Sequence, residues 1–156
     1  MEIVDLIKML KDKNLKIATA ESCTGGLLAK KITDVSGSSE VFEMGIISYA
    51  NRIKNEFLDV SNIVLETVGA VSEETAKQMA IGVTTLSKAD IGVGITGIAG
   101  PTGGTKAKPV GLVYISIYLA KENKSIAKKL LLDGNREEIR EQTANIVIEE
   151  VGKQLI

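Results

Sequence analysis

Histidine is absent from this chain of 156 residues, and that single absence closes several routes at once. There is no Ser-His-Asp triad and no Cys-His dyad, and zinc sites built on imidazole go with them. The one cysteine, Cys23, rules out an internal disulfide and every CxxC metal or redox motif. Carboxylate-only sites of the Mg²⁺ or Ca²⁺ kind remain open. Acyl chemistry would have to take Lys, a carboxylate or Tyr as its base. Tryptophan is also missing and aromatics are only 3%, which removes the stacking platforms of single-strand nucleic-acid binders. Lys and Arg number 19 against 20 Asp and Glu. With no basic stripe, nucleic acid is not an expected partner. No apolar run approaches the roughly 20 residues that span a bilayer, so no membrane partner is expected either. The opening Met1-Glu-Ile-Val-Asp is charged and amphipathic, unlike a signal peptide, and the expected location is cytoplasmic.

What the chain does contain is ordinary for a globular protein: 44% apolar and 25% charged residues, enough length for a real core, and no linker, repeat or low-complexity stretch. One domain over residues 1–156 is expected. Ile3, Leu6, Ile7 and Leu10 recur at helical spacing, and Lys13-Asn14 ends that helix. Residues 15–20 read as a strand. Thr24-Gly25-Gly26 is expected to open a helix running to about Ile32, followed by a loop over 34–39. Residues 41–49 read as a strand and 51–58 as a short helix, with Ile53 and Phe57 marking its buried side. Ser61-Asn62 suits the cap of a further turn or two ending near Gly69. Ser72, followed by Glu73 and Glu74, suits the start of a helix whose stripe is Ala76, Met79, Ala80 and Val83. Residues 91–96 read as a buried strand, followed by a glycine-rich loop to about Pro109. Two strands over 110–119 and 126–132 flank a charged turn, and Asn135 with Glu138 resembles a capping box for the last helix. The alternation, closed by a hairpin, predicts an α/β protein: a three-layer α/β/α sandwich on a mixed sheet.

Three segments carry residues suited to chemistry. In Ala20-Glu21-Ser22-Cys23-Thr24-Gly25-Gly26 a strand hands over to a helix. A nucleophile there stands above the sheet edge, and N–H groups of the new helix can hold an oxyanion or a phosphate. Taken locally, Ser22 reads more readily as a cap than as a nucleophile. Cys23 is the rival nucleophile, favoured by a helix N-terminus but left without a histidine base, and small buried cysteines are the commoner case. In Ser48-Tyr49-Ala50-Asn51-Arg52-Ile53-Lys54, Tyr49 and Lys54 fall beyond a strand's carboxyl end, where open α/β sheets bind ligands. A lysine kept from water beside Arg52 would lose its proton and act as a base; a solvated lysine on a helix face is the commoner occurrence. In the loop from Gly97 to Pro109, four glycines (Gly97, Gly100, Gly103, Gly104) sit with both prolines of the chain. Such turns make anion-binding concavities, and with Thr96 at the strand end they favour a ligand loop. Arg136 and Arg140, one helical turn apart, could face one ligand or simply balance Glu137, Glu138 and Glu141. Gly92-Val-Gly94-Ile-Thr-Gly97 matches GxGxxG, but the glycines lie inside a strand and a loop follows where a dinucleotide fold needs a helix.

Thr19-Ala-Glu-Ser-Cys-Thr-Gly-Gly26, Gly45-Ile-Ile-Ser-Tyr-Ala-Asn51, Gly69-Ala-Val-Ser72, Gly97-Ile-Ala-Gly-Pro101 and Lys108-Pro-Val-Gly111 occur in this order. Together they resemble the C-terminal domain of the CinA competence/damage-inducible family over nearly the whole chain. The resemblance implies an anticodon-binding-domain-like fold with a five-stranded mixed sheet. It implies hydrolysis of the carboxamide of nicotinamide mononucleotide to nicotinate mononucleotide and ammonia, with Ser22 as nucleophile, Lys54 as base and Tyr49 assisting. Longer relatives add an N-terminal pyrophosphatase-like domain, whose activity is not expected of this chain. Ser plus Lys fits a chain without histidine and requires no cofactor and no metal. The candidate substrate-binding residues are Thr24, Gly25, Thr96, Gly97, Gly100, Arg136 and Arg140, with the loop and an arginine holding the phosphate. The expected partner is the small mononucleotide; assembly into a homo-oligomer stays open. The other reading is a non-catalytic module of the same fold that binds or senses the nucleotide.

Overall fold

The computed structural model describes residues 1–156. Five strands form one sheet in the order β2-β1-β3-β4-β5: β1 Ile17–Glu21, β2 Phe42–Ile47, β3 Ile91–Gly97, β4 Leu112–Leu119 and β5 Lys124–Leu131. β1 lies parallel to both β2 and β3. β4 and β5 close the sheet antiparallel, as the late hairpin predicts.

Strand alternation sends large residues to one face and small ones to the other. Ile17, Val93, Ile95, Val113, Ile115 and Ile117 form a core with Leu6, Ile7 and Leu10 of α1 (Ile3–Asp12), Leu28 and Ile32 of α2 (Leu27–Thr33) and Val147 and Val151 of α6 (Arg136–Leu155). On the opposite face Ala18 and Ala20 meet Leu58, Met79 and Val83. These last come from α3 (Asn51–Leu58) and α5 (Glu73–Ser87), with α4 (Asn62–Thr67) beside α5. The result is a three-layer α/β/α sandwich. No helix is long and apolar enough to cross a membrane.

The glycines of the rejected GxGxxG match have a packing role. A Cβ on Gly92 would lie 1.8 Å from Thr84 Oγ1 and 2.3 Å from the Ala80 carbonyl oxygen, and one on Gly94 would lie 2.2 Å from the Ala76 carbonyl oxygen. α5 therefore rests directly on the backbone of β3, an approach that only glycine permits.

The local signals at the longer helices hold. Ser72 accepts from the Thr75 amide at the start of α5, and Asn135 with Glu138 forms a reciprocal capping box on α6. Others are corrected. α2 begins at Leu27, not at Thr24, because Gly25 and Gly26 adopt left-handed φ of 61° and 97° and extend the turn. α3 buries Lys54 and Leu58, while Phe57 is exposed, so its inward face is rotated by one residue from the expected Ile53–Phe57 side. Leu58 supplies the apolar contact on that face, and the Lys54 ammonium end reaches the site described next.

Candidate active site

The three parallel strands end at the same edge, and each delivers one part of a cavity of about 320 Å³. Ser22 follows β1, Tyr49 and Lys54 follow β2, and Thr96 and Gly97 end β3. This is the carboxyl-end position where open α/β sheets bind ligands. Arg136 of α6 and the backbone of the loop after β3 complete the wall, which contains no Asp or Glu. The cavity therefore has two basic side chains, Lys54 and Arg136, and no acidic one. No group of three or more Cys, Asp or Glu side chains is arranged to hold a metal ion.

Lys54 is 1% exposed. Its Nζ lies 2.9 Å from Ser22 Oγ, 2.6 Å from the Ser48 carbonyl oxygen and 3.2 Å from the Tyr49 carbonyl oxygen. None of the chain's ion pairs includes it. Burial without a counter-ion penalises the charged form and lowers its pKa from 10.5 to about 8, while the neighbouring Cys23 pulls slightly the other way. Desolvation acts as expected, but the repulsion expected from Arg52 does not, because Arg52 faces outward and pairs with Glu56 at 2.7 Å. A neutral amine has two N–H donors and one lone pair. As the ammonium, Lys54 donates to Ser22 Oγ and to both carbonyls; once neutral, its two N–H groups can stay on the carbonyls and its lone pair can face the Ser22 hydroxyl.

Cys23 also touches the cavity, but burial pushes its thiol up to about 12, with the Glu21 charge adding to the effect. It stays protonated near neutrality and is a poor nucleophile. Glu21 is 1% exposed, and its carboxylate accepts from Thr24 Oγ1 at 2.6 Å and from the amides of Leu28 and Ala29 at 2.9 and 3.0 Å. The Leu27 amide is taken by the Thr24 carbonyl. The first amides of α2, expected to face a ligand, are thus already occupied. The amide of Cys23, the residue after Ser22, has no backbone acceptor.

The seven expected substrate-binding residues divide. Thr96, Gly97, Gly100 and Arg136 line the cavity. Thr96 Oγ1 donates to the Ala70 carbonyl at 2.8 Å, fastening the 69–72 turn to β3. Arg136 donates to the Gly100 carbonyl at 2.8 Å and to the Tyr49 hydroxyl at 3.1 Å, so it joins the loop to the β2 side across the cavity. The amides of Ala99, Gly100, Thr102 and Gly103 donate to no protein acceptor. Thr24, Gly25 and Arg140 lie outside the lining. Thr24 is fully buried and bonded to Glu21. Arg140 spends its guanidinium on the Thr24 carbonyl at 2.7 and 3.2 Å, and a Cβ on Gly25 would lie 2.5 Å from Arg140 Nη2. They support the turn from behind. Sequence reasoning missed the roles of Glu21 and of Ala70 and Val71, which also line the cavity; the Gly69-Ala-Val-Ser72 motif was the available signal for the last two.

The same arrangement of chain recurs in known proteins. A protein of Thermoanaerobacter pseudethanolicus, provisionally named as competence-damage inducible, is 52% identical over 97% of this chain and 36% of its own length. A CinA-like protein of Kosmotoga olearia is 49% identical over 97% of this chain and 36% of its own length. The chain thus spans about a third of the length of these curated relatives. The crystal structure of a competence/damage inducible protein from Agrobacterium tumefaciens superposes with a TM-score of 0.92 at 39% identity, covering 97% of this chain and 94% of that one. The family model for the CinA C-terminal domain matches residues 3–155, and the chain belongs to that family.

Proposed function

We propose that this domain is an amidohydrolase that converts nicotinamide mononucleotide to nicotinate mononucleotide and ammonia. The observation that carries the reading is the Ser22–Lys54 contact at 2.9 Å, with the lysine buried and unpaired. Serine is a weak nucleophile until a base accepts its proton, and Lys54 is the base this site offers. Ser22 Oγ attacks the carboxamide carbon as its proton passes to Lys54 Nζ. The Cys23 amide is free to donate to the oxyanion of the tetrahedral intermediate. That intermediate collapses as Lys54 returns the proton to the leaving nitrogen, giving ammonia and an acyl-Ser22 ester. Water then attacks the ester, Lys54 again accepts a proton, and the carboxylic acid leaves as Ser22 is restored.

The substrate assignment draws on the family resemblance and on the charge of the cavity. A site with the Arg136 guanidinium, no carboxylate and four loop amides without a protein acceptor suits a ligand with a phosphate. Binding energy from that remote group can be used at the reacting carbon. Ammonia release tests the proposal. We expect turnover of nicotinamide mononucleotide, far weaker turnover of free nicotinamide, and full activity after exhaustive EDTA treatment. Equal activity on the two amides would remove the phosphate from the recognition. Binding of the mononucleotide without ammonia release would make the domain a nucleotide-sensing module instead.

A further inference from the structure

The reaction just described makes no use of the buried carboxylate of Glu21. Glu21 has no cationic partner, although an unanswered carboxylate in the interior is costly. Three donors converge on it instead: the Thr24 hydroxyl and the Leu28 amide on Oε1, and the Ala29 amide on Oε2. An ordinary N-cap sits at the helix's own first position. Here that position is Gly26, which has no side chain to cap with, and the cap comes from the last residue of β1. The link therefore spans the turn that holds Ser22, closing it into a loop pinned at strand and helix. The main chain of Glu21 acts on the other half of the pair. Its carbonyl accepts from the Ser48 amide at 2.9 Å, and the Ser48 carbonyl in turn accepts from Lys54 Nζ at 2.6 Å.

Resting on Ser22 as the nucleophile, we propose that Glu21 is a positioning residue: its carboxylate fixes the turn so that Ser22 Oγ stays within proton-transfer distance of Lys54. It touches neither substrate nor proton. A carboxylate suits this role better than an amide because all three of its neighbours are donors. Glutamine would keep one acceptor oxygen and turn an N–H group toward one of those donors.

The test reads Ser22 directly. A fluorophosphonate probe phosphonylates an activated serine: the Oγ–P bond forms, fluoride leaves, and the serine proton goes to Lys54. Labelling rates, with the site located by mass spectrometry, are measured from about pH 6 to about pH 10, across the range of the proposed base. Thermal melting is followed in parallel. A misplacement of about 1 Å costs on the order of 100-fold, so Glu21→Ala should label about 100-fold more slowly and Glu21→Gln about tenfold more slowly. Both should keep the wild-type pH limb, and in ammonia release kcat should fall while KM stays. Thr24→Val, which removes the donor at 2.6 Å, should show the smaller of the two effects. Should Glu21→Ala fail to fold, Glu21→Gln and Thr24→Val decide. Wild-type labelling rates in these variants overturn the inference and make Glu21 a plain helix cap. A lost pH limb in Glu21→Gln also overturns it, because Glu21 would then be exchanging protons. An unlabelled wild type refutes the nucleophile and this inference with it. A wild type that labels but releases no ammonia refutes only the substrate.

Discussion

Lys54 and Glu150 are both charged side chains withdrawn from water, and the molecule treats them in opposite ways. Glu150, on α6, accepts from Lys128 of β5 at 2.8 Å and from Lys153 at 2.7 Å, and these two partners hold its carboxyl below the usual carboxylate range. Lys54 has carbonyls and a hydroxyl around it but no anion, and its pKa moves toward the neutral form. At Glu150 the buried charge is answered by two opposite charges and ties a helix to a strand. At Lys54 burial goes unanswered by any anion, and the group exchanges its proton near neutrality, which is what a general base requires.

The largest effect that separates the two sites is on turnover. Lys54→Met should abolish ammonia release while leaving mononucleotide binding, measured by calorimetry, within about tenfold, or about 1.4 kcal/mol. Ser22→Ala should lose on the order of 10⁴-fold. Glu150→Gln should change turnover less than about twofold, as expected for a site whose perturbed pKa is structural. Near-normal turnover in Lys54→Met would dissolve the contrast and move the search for a base elsewhere.

The next effect is on pH dependence. Protonated Lys54 cannot accept a proton, so the rate should climb about tenfold per pH unit below about 8 and level off above it. Lys54→Arg should be inactive throughout, since guanidinium stays protonated. A limb centred well below that value would point to a carboxylate base.

The smallest effects are on stability, and they carry opposite signs. Below about pH 8 Lys54 is protonated whether folded or unfolded, and the fold bears the full cost of burying the charge. Between about 8 and 10.5 the folded protein releases the proton first, so wild type gains on Lys54→Met by about 3 kcal/mol across that window. Glu150 runs the other way: its depressed pKa stabilises at neutral pH and that contribution is lost as pH falls through the folded value. With two largely exposed lysine partners, Glu150→Gln should cost only ~1 kcal/mol near neutrality, and the gap should close in acid. Chemical denaturation across pH measures both. A flat difference between wild type and Lys54→Met from pH 8 to 10.5 would mean that burial does not perturb the lysine.

The sheet was legible because alternating apolar runs and turn residues state it plainly: the parallel strands, the hairpin and the capping box at Asn135 and Glu138 are local signals. The candidate site was legible in part. Absent histidine left lysine, a carboxylate or tyrosine as the base, and only the family motifs singled out Lys54, because burial is a tertiary property. Phe57 misled for the same reason. Periodicity assigns the inward face to the apolar residue, whereas here a lysine takes the inner position and Phe57 is left 54% exposed. Arg140 resembled Arg136 in sequence, and only the fold separates the one that meets the Thr24 carbonyl from the one that meets the cavity.

The bare backbone of β3 under α5 has a dynamic consequence. Helices that pack through side chains can shift by small rotamer adjustments, whereas α5 meets Gly92 and Gly94 with no side chain between to adjust. Any slide of α5 drives its carbonyls against the strand, so helix and strand must move as one body. The loop after β3 is under no such constraint: its amides of Ala99, Gly100, Thr102 and Gly103 are bonded to no protein group. In deuterium exchange, the exposed amides of Thr102 and Gly103 should take up label early and the centre of β3 among the last.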